Sequence, residues 1–263
     1  MTSDPLVLTL AAVFGAIVGS FLNVVILRLP EPGASIVYPA SHCPKCRHPL
    51  SWYENIPLLS YMLLRGNCSH CRVHISLQYP LVELLMAGLS SAVLFRFGFT
   101  VTAVGFFIFT AALLVIIVID YNHQIIPDVI SLPGILFGLA FSFFNSICSW
   151  QDSLIGLFAG GGLLYAIALL YYALRKQDGM GGGDIKLLAM IGAFLGWQSL
   201  PFIIFTSSVA GSIIGITALT IQKKDTATRI PFGPFLSVSA LLYMFFTRDI
   251  LAIYRSYLAG TLF

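Results

Sequence analysis

Long apolar runs succeed one another along nearly the whole chain, and they restrict its possible folds more than any other feature. Most of them reach the length of about 20 residues that a helix needs to cross a bilayer. The eight runs cover residues 6–27, 80–97, 100–119, 129–148, 154–174, 187–200, 201–221 and 235–257. Only 10% of residues are charged, whereas soluble domains carry about 25%. The sequence predicts an all-α polytopic membrane protein with about eight transmembrane helices.

The basic residues predict its orientation. Eleven of the 14 lysines and arginines fall in one set of loops or beside it, and three fall on the opposite side. Because basic loops remain in the cytoplasm, both termini are expected outside it. Residues 28–79 are the one loop large enough to fold beyond the bilayer. We therefore expect a first transmembrane helix at 1–27, a cytoplasmic domain at 28–79 and a seven-helix membrane domain at 80–263. The scattered basic residues do not indicate a nucleic-acid partner.

Two Cys-x-x-Cys pairs lie in the 28–79 loop. Cys43 and Cys46 form the first pair, and Cys68 and Cys71 form the second, with 21 residues between the pairs. Four thiolates at this spacing are typical of a structural zinc site. Disulfides or redox-active cysteines are the alternative, but disulfides rarely persist in a reducing cytoplasm. The sequence predicts a small zinc-ribbon-like domain, with four nearby histidines as substitute ligands.

Two aspartates lie where predicted spans reach the cytoplasmic side. Asp120 directly follows the third run, at an expected helix carboxyl end, where the helix dipole disfavours negative charge. Asp184 precedes the sixth run. Asp128 has a structural explanation, since an acid is favourable at the helix start that follows Pro127. Ionisable groups at membrane depth are costly and usually functional, so Asp120 and Asp184 are the candidate catalytic pair.

Two neighbouring carboxyl groups have a defined chemistry. Like charges at close range cannot both ionise, so the pair shares one proton. The charged carboxylate then takes a proton from water while its partner polarises a peptide carbonyl. Such a pair hydrolyses an amide without a nucleophilic serine or cysteine. No Ser-His-Asp arrangement or HExxH motif competes with it in this sequence.

The glycine-rich stretch at residues 179–186 (GMGGGDIK) contains Asp184. It lacks the Gly-Lys-Ser/Thr ending of a phosphate-binding loop, and the strand expected before a dinucleotide motif is absent. Flexible backbone at Gly181 and Gly183 lets an extended peptide lie alongside by strand-like pairing. Between the cysteine pairs, the aromatic residues around Glu54 suit a segment lying on the membrane interface.

Five stretches together resemble the type 4 prepilin leader peptidases, bacterial inner-membrane enzymes of the GxGD aspartyl class. They cover nearly the whole chain in the right order. The stretches are residues 19–26 (GSFLNVVI), 52–57 (WYENIP) within the four-cysteine loop, 126–128 (IPD), 179–186 (GMGGGDIK) and 231–234 (PFGP).

The resemblance implies an activity. Members of this family cut the basic leader from type IV prepilins and type II secretion pseudopilins at the cytoplasmic face. Members with the cytoplasmic domain also methylate the new amino terminus, using S-adenosylmethionine. The family's catalytic aspartates correspond to Asp120 and Asp184, while Asp128 and Lys186 fall in its motifs as supporting residues. Glu54 is a candidate for attracting the basic leader. Both termini are then periplasmic.

Two alternatives have other functions. In a transporter or ion channel, Asp120 and Asp184 would bind cations or protons within the membrane. The two acids are expected at the membrane edge and not at its midplane, and no inverted repeat is evident. A zinc-ribbon membrane adaptor without catalysis would leave both acids unexplained. The peptidase is therefore the preferred hypothesis.

Overall fold

The computed structural model describes residues 4–145, 147–177, 181–222 and 231–258, which are mostly helical and contain no strand. A helix occurs at each of the eight predicted runs, and a short one lies in the 28–79 loop, which confirms the all-α membrane class. The helices are α1 (Pro5–Arg28), α2 (Leu59–Leu63), α3 (Gln78–Phe97), α4 (Val101–His123), α5 (Asp128–Phe141), α6 (Trp150–Arg175), α7 (Gly182–Leu195), α8 (Leu200–Gln222) and α9 (Gly233–Leu258).

Two of the predicted spans are too short to cross a bilayer as single helices: α5, which is shorter than the predicted run 129–148, and α7, which is as short as the predicted run 187–200. Among the described residues, six helices are long and apolar enough to cross a membrane. Helices α5 and α7 have 14 residues each. That is about 21 Å at 1.5 Å per residue, less than the ~30 Å hydrocarbon core. Hydropathy gave eight spans because it measures apolar character and does not show where a helix ends.

The helix ends follow local sequence signals. The Asp4 carboxylate accepts a hydrogen bond from the Leu6 N–H at 2.9 Å and caps α1. The Ser149 hydroxyl accepts one from the Asp152 N–H at 3.2 Å and caps α6. Gly196, with φ of 78°, ends α7. A 3-10 turn (Trp197–Ser199) then leads into α8.

The chain divides into two compact units, one up to Val115 and one from Ile116. In the first unit, α1 and α3 pack antiparallel through small residues. A Cβ atom at Gly15 would lie 2.5 Å from the Met86 carbonyl oxygen, and one at Gly19 would lie 2.8 Å from the Cα of Glu83. The small residues of α1 thus allow the close helix approach common in membrane proteins.

In the second unit, α7 is enclosed by its neighbours. Residues 187–195 are all buried. Helices α6 and α7 approach so closely that a Cβ atom at Gly156 or Gly192 would overlap the carbonyl oxygen of the other glycine. On the α5 side, Gly138 gives room to the Phe194 ring. Asp184, at the amino end of α7, therefore lies on a helix whose position is fixed by close packing against α5 and α6.

Candidate active site and metal centre

Asp120 lies in the last turn of α4 and is 5% exposed. Its Oδ2 atom accepts a hydrogen bond of 2.9 Å from the main-chain N–H of Gly233, the first residue of α9. A helix amino terminus presents unpaired N–H groups and favours negative charge. Gly233, which is distant from Asp120 in the sequence, thus stabilises a carboxylate that the carboxyl end of α4 would otherwise disfavour.

Asp184 lies in the first turn of α7 and is half-buried. Asp120 and Asp184 lie close enough to interact electrostatically. No hydrogen-bond donor from the described residues contacts the Asp184 carboxyl group, in contrast to that of Asp120. The structure therefore brings together the two aspartates that the sequence singled out, and gives them different surroundings.

Ile126 joins three of the sequence motifs. A Cβ atom at Gly183 would lie 2.9 Å from the Cβ of Ile126, and one at Gly233 would lie 3.1 Å from its Cδ1. The same atom at Gly233 would lie 2.6 Å from Oδ2 of Asp120. A side chain at Gly183 would therefore overlap Ile126, and one at Gly233 would overlap Asp120. Sequence analysis missed the contact role of Ile126, although the 126–128 motif contains it.

Asp128 is the first residue of α5, and its carboxylate faces α7 instead of capping its own helix. Lys186 Nζ donates to both carboxylate oxygens of Asp128, at 2.7 and 2.8 Å. Both side chains are partly exposed, at 38% for Lys186 and 55% for Asp128. This ion pair links the start of α5 to the turn of α7 that carries Asp184.

The glycine-rich stretch is described only from Gly181 onward. Gly181 precedes α7, and its carbonyl accepts a hydrogen bond of 3.2 Å from the Asp184 N–H. Gly181 and Gly182 are exposed and Gly183 is partly so. Their main chain is therefore open for a ligand beside Asp184. Gly179 and Met180, also part of the predicted motif, lie outside the described residues.

In the first unit, the four predicted cysteines form one cluster. The Sγ atoms of Cys43, Cys46, Cys68 and Cys71 all lie within 4.8 Å of one another. The Cys43–Cys71 separation is 3.8 Å and the Cys46–Cys68 separation is 4.0 Å. Four sulfurs at Zn–S distances of about 2.3 Å in a tetrahedron lie about 3.8 Å apart. The cluster fits a four-thiolate metal site, and all five cysteines are free of disulfides.

The two Cys-x-x-Cys turns have matching backbones. The Cys43 N–H donates to the His48 carbonyl and the Cys68 N–H donates to the Val73 carbonyl, each at 2.9 Å. The residue after each pair, Arg47 or Arg72, has a positive φ, 56° or 58°. The rings of His48 and His70 stack on each other at 4.8 Å and are not members of the cysteine cluster.

The thiols of the cluster have unequal proton affinities. The main-chain N–H of Cys46 favours the thiolate of Cys43 and lowers its pKa to about 7. At Cys46, the N–H of His48 acts in the same direction, but burial and hydrogen bonds to the other thiols outweigh it and raise the pKa to about 11. Four thiolates therefore need a cation to ionise together.

Glu54 is engaged within the cysteine domain. Its Oε2 atom accepts a hydrogen bond of 2.7 Å from the Ser51 N–H, which closes the 3-10 turn Trp52–Asn55. A hydrogen bond from Ser69 is the main cause that holds the pKa of Glu54 below its usual value, and Ser51 adds to it. The carboxylate thus connects this turn to the second cysteine pair.

Two protein-family models match the chain. A family model described as the bacterial peptidase A24 N-terminal domain matches residues 13–97. A second, described as the type IV leader peptidase family, matches residues 107–216. The second match contains Asp120, Asp128, Asp184 and Lys186, and the first contains the four cysteines. No solved structure shows significant similarity to the chain.

Curated relatives match over nearly the full length. A prepilin leader peptidase/N-methyltransferase of Stutzerimonas stutzeri is 40% identical over 98% of this chain and 97% of its own. Its namesake from Pseudomonas aeruginosa is 39% identical with the same coverage. That from Neisseria gonorrhoeae is 38% identical over 90% of this chain and 89% of its own. The chain is a multi-pass bacterial membrane protein and belongs to the type IV leader peptidase family.

Proposed function

We propose that this chain removes the leader peptide from type IV prepilins or type II secretion pseudopilins and methylates the new amino terminus. The shared name of relatives that match nearly the whole chain supports both activities. The observation that carries the peptidase assignment is the juxtaposition of Asp120 and Asp184 in the second unit. The transporter alternative has no support from these comparisons.

The surroundings of the two aspartates favour unequal roles. The Gly233 N–H stabilises a negative charge on Asp120, so Asp120 is the ionised member that takes a proton from the attacking water. Asp184 has no such donor among the described residues and holds the shared proton, which it donates to the scissile carbonyl oxygen. Hydroxide adds to the carbonyl carbon. The proton on Asp120 then passes to the leaving amine as the peptide C–N bond breaks, and one hydroxyl of the gem-diol returns its proton to Asp184 as the carbonyl re-forms.

The supporting residues have positions that suit substrate binding. Gly181 and Gly183 offer main-chain groups beside Asp184 for strand-like pairing with an extended peptide. The Asp128–Lys186 ion pair fixes the start of α5 against α7 and thereby the position of Asp184. Glu54 remains a candidate for attracting a basic leader, although its internal hydrogen bonds favour a structural role.

The four cysteines are proposed to hold zinc as a structural ion. Zinc with four protein ligands has no open position for substrate, and its binding stabilises a domain too small to fold on its own core. S-adenosylmethionine is the proposed methyl donor and would supply an activated methyl group to the amino terminus. The sequence and the described residues assign no binding site to it.

The distribution of basic residues supports a membrane orientation, and with it a role for each segment of the chain. We place the chain in the inner membrane with both termini in the periplasm, because eleven of its 14 lysines and arginines lie at loops on the other side. Both candidate sites then face the cytoplasm, where a basic leader remains. Residues 1–27, 28–79 and 80–263 would act as the first transmembrane helix, the cytoplasmic domain and the membrane peptidase domain.

The experiment that tests this function uses the purified chain in detergent. It is incubated with a prepilin or a pseudopilin, with and without S-adenosylmethionine, and the products are identified by mass spectrometry. We expect a shortened product in both reactions and a further mass increase of one methyl group when the donor is present. Intact substrate in both reactions would contradict the proposed function, and cleavage without a methyl increase would contradict only the methyl transfer.

A further inference from the structure

The short helix α2, which lies between the two cysteine pairs, has one uncovered apolar face. Leu59, Met62 and Leu63 are 54%, 62% and 82% exposed. Their spacing of i, i+3 and i+4 puts them on the same side of the helix. We call these three side chains the outer face of α2.

The opposite side of α2 packs on the residues that flank the second cysteine pair. The Tyr61 hydroxyl donates to the Ile75 carbonyl at 3.2 Å, and the Gly66 N–H donates to the Tyr61 carbonyl at 2.9 Å. A Cβ atom at Gly66 would lie 2.8 Å from the Tyr61 hydroxyl. Movement of α2 would therefore move the four-cysteine domain with it.

The amino end of α2 is fixed to a membrane helix. Glu83, only 8% exposed, accepts a hydrogen bond of 2.8 Å from the Leu58 N–H just before α2. The Ser20 hydroxyl of α1 also hydrogen-bonds to Glu83. Glu83 is the sixth residue of α3, a candidate membrane span. At 1.5 Å per residue it lies about 8 Å along that span from its first residue.

A second contact holds α1 and α3 together at this level. The Asn23 side chain, 2% exposed, donates from Nδ2 to the Tyr79 carbonyl at 3.0 Å. Asn23 and Glu83 lie one helical turn apart along the antiparallel pair, since Gly19 meets Glu83 and Asn23 meets Tyr79. Residue 58 therefore has a fixed depth relative to the two membrane helices.

We propose that the outer face of α2 inserts into the headgroup–acyl boundary of the bilayer that α1 and α3 cross, and anchors the four-cysteine domain there. Interfacial helices bury their apolar face about 5–10 Å deep, and Glu83 lies about 8 Å along α3 from its first residue. Exposed Arg65 follows α2, and residues 28–79 carry five basic side chains against two acidic ones. An anionic lipid surface complements that charge. The inference does not depend on the proposed function.

The test is photo-crosslinking of the full chain in vesicles of phosphatidylcholine with phosphatidylglycerol. The photoreactive residue benzoylphenylalanine replaces Leu63, whose exposure makes a folding defect unexpected. The control carries the same photoreactive residue at His74, an exposed position that follows the second cysteine pair. We expect a lipid adduct at position 63, found as a mass increase in the peptide, and at least severalfold less at position 74. Absence of the adduct at position 63, or equal labelling at both positions, would overturn the anchor.

A second measurement uses substitutions in place of the photoreactive residue. In Met62→Gln with Leu63→Gln, we expect trypsin to cut after Arg65 severalfold faster than in the unsubstituted chain in vesicles. In detergent the two chains should be cut at similar rates, since no planar bilayer is present there. Equal rates in vesicles would contradict the proposal. Faster cutting in both media would also contradict it, because the outer face would then stabilise the domain itself.

Discussion

At the scale of single residues, Gly233 is the position in the candidate active site that has least room for a side chain. It is buried, it donates its N–H to Asp120, and its α-carbon faces both Asp120 and Ile126. Any side chain would displace the carboxylate that the same residue orients. Two properties are combined at one position: a main-chain donor and the absence of a Cβ atom.

Gly233→Ala is therefore expected to abolish most cleavage. The added Cβ atom would lie 2.6 Å from Oδ2 of Asp120, and a displacement of about 1 Å in an active site can cost 100-fold in rate. The measurement is kcat/KM for prepilin cleavage in detergent. Gly162→Ala is the matched control, because no atom lies within 4 Å of its added methyl group. Wild-type kinetics in Gly233→Ala would refute the contact.

The Lys186–Asp128 pair should affect activity more than stability. Partly exposed ion pairs contribute about 0–1 kcal/mol, so Lys186→Met should leave the unfolding temperature nearly unchanged. Because Lys186 lies two residues from Asp184, its loss should reduce kcat/KM severalfold, and Lys186→Arg should restore most of it. Thermal unfolding and cleavage kinetics on the three proteins check this. A fall in stability without a fall in activity would limit the pair to a structural role.

The sequence identified Asp120 and Asp184 as candidates because an ionisable group beside an apolar run costs free energy in a membrane and is usually functional. It did not identify the Gly233 N–H as the hydrogen-bond donor to Asp120, since every residue except proline has a main-chain N–H and only the fold determines where it points. The 231–234 stretch contributed to the family resemblance but did not indicate this contact. The ion pair of Asp128 was also unforeseen, because a favourable position at a helix start already explained this acid.

At the scale of elements, the short helices α5 and α7 determine where the site lies. Each begins with an acidic residue in its first turn, and each is packed against the other through glycines and large apolar side chains. Hydropathy predicted that these segments are apolar and helical. The shortness of α7 follows from the short apolar run at 187–200. The shortness of α5 was not predictable, because apolar residues continue after Phe141 outside the helix.

Gly192→Val tests whether the α6–α7 contact positions α7. The valine would overlap the main chain of Gly156, and overpacking typically costs about 1–3 kcal/mol. We expect a lower unfolding temperature in detergent and reduced cleavage. Gly162→Val, in the same helix pair but with no neighbour within 4 Å, should change neither quantity. Equal behaviour of the two variants would contradict the close helix contact.

At the scale of the whole molecule, two compact units carry two different sites: a four-cysteine cluster in the first and an aspartate pair in the second. The cysteine cluster was predictable from spacing alone, since a metal imposes both the spacing and the geometry. A segment at the membrane interface was predicted around Glu54, but the proposed anchor at the outer face of α2 was not, because the depth of α2 follows from a main-chain hydrogen bond to Glu83.

Metal content provides a test of the cysteine cluster. We expect one zinc ion per purified chain and none in a Cys43→Ser, Cys71→Ser variant, measured by atomic emission. Affinity should fall as pH decreases, because protons compete for the thiolates. Cys148→Ser is the control and should retain the metal, since Cys148 lies outside the cluster. Full zinc content in the double variant would contradict this site.

The most direct test of the central claim is prepilin cleavage by Asp120→Asn, Asp184→Asn and Asp128→Asn, read by mass spectrometry of the product. Asparagine keeps the shape of aspartate but cannot exchange the shared proton. We expect no cleavage by the first two variants and partial cleavage by Asp128→Asn, whose partner is Lys186. If Asp128→Asn is inactive while Asp120→Asn still cuts, the catalytic pair is Asp128 with Asp184. Cleavage by all three variants would contradict the two-aspartate mechanism.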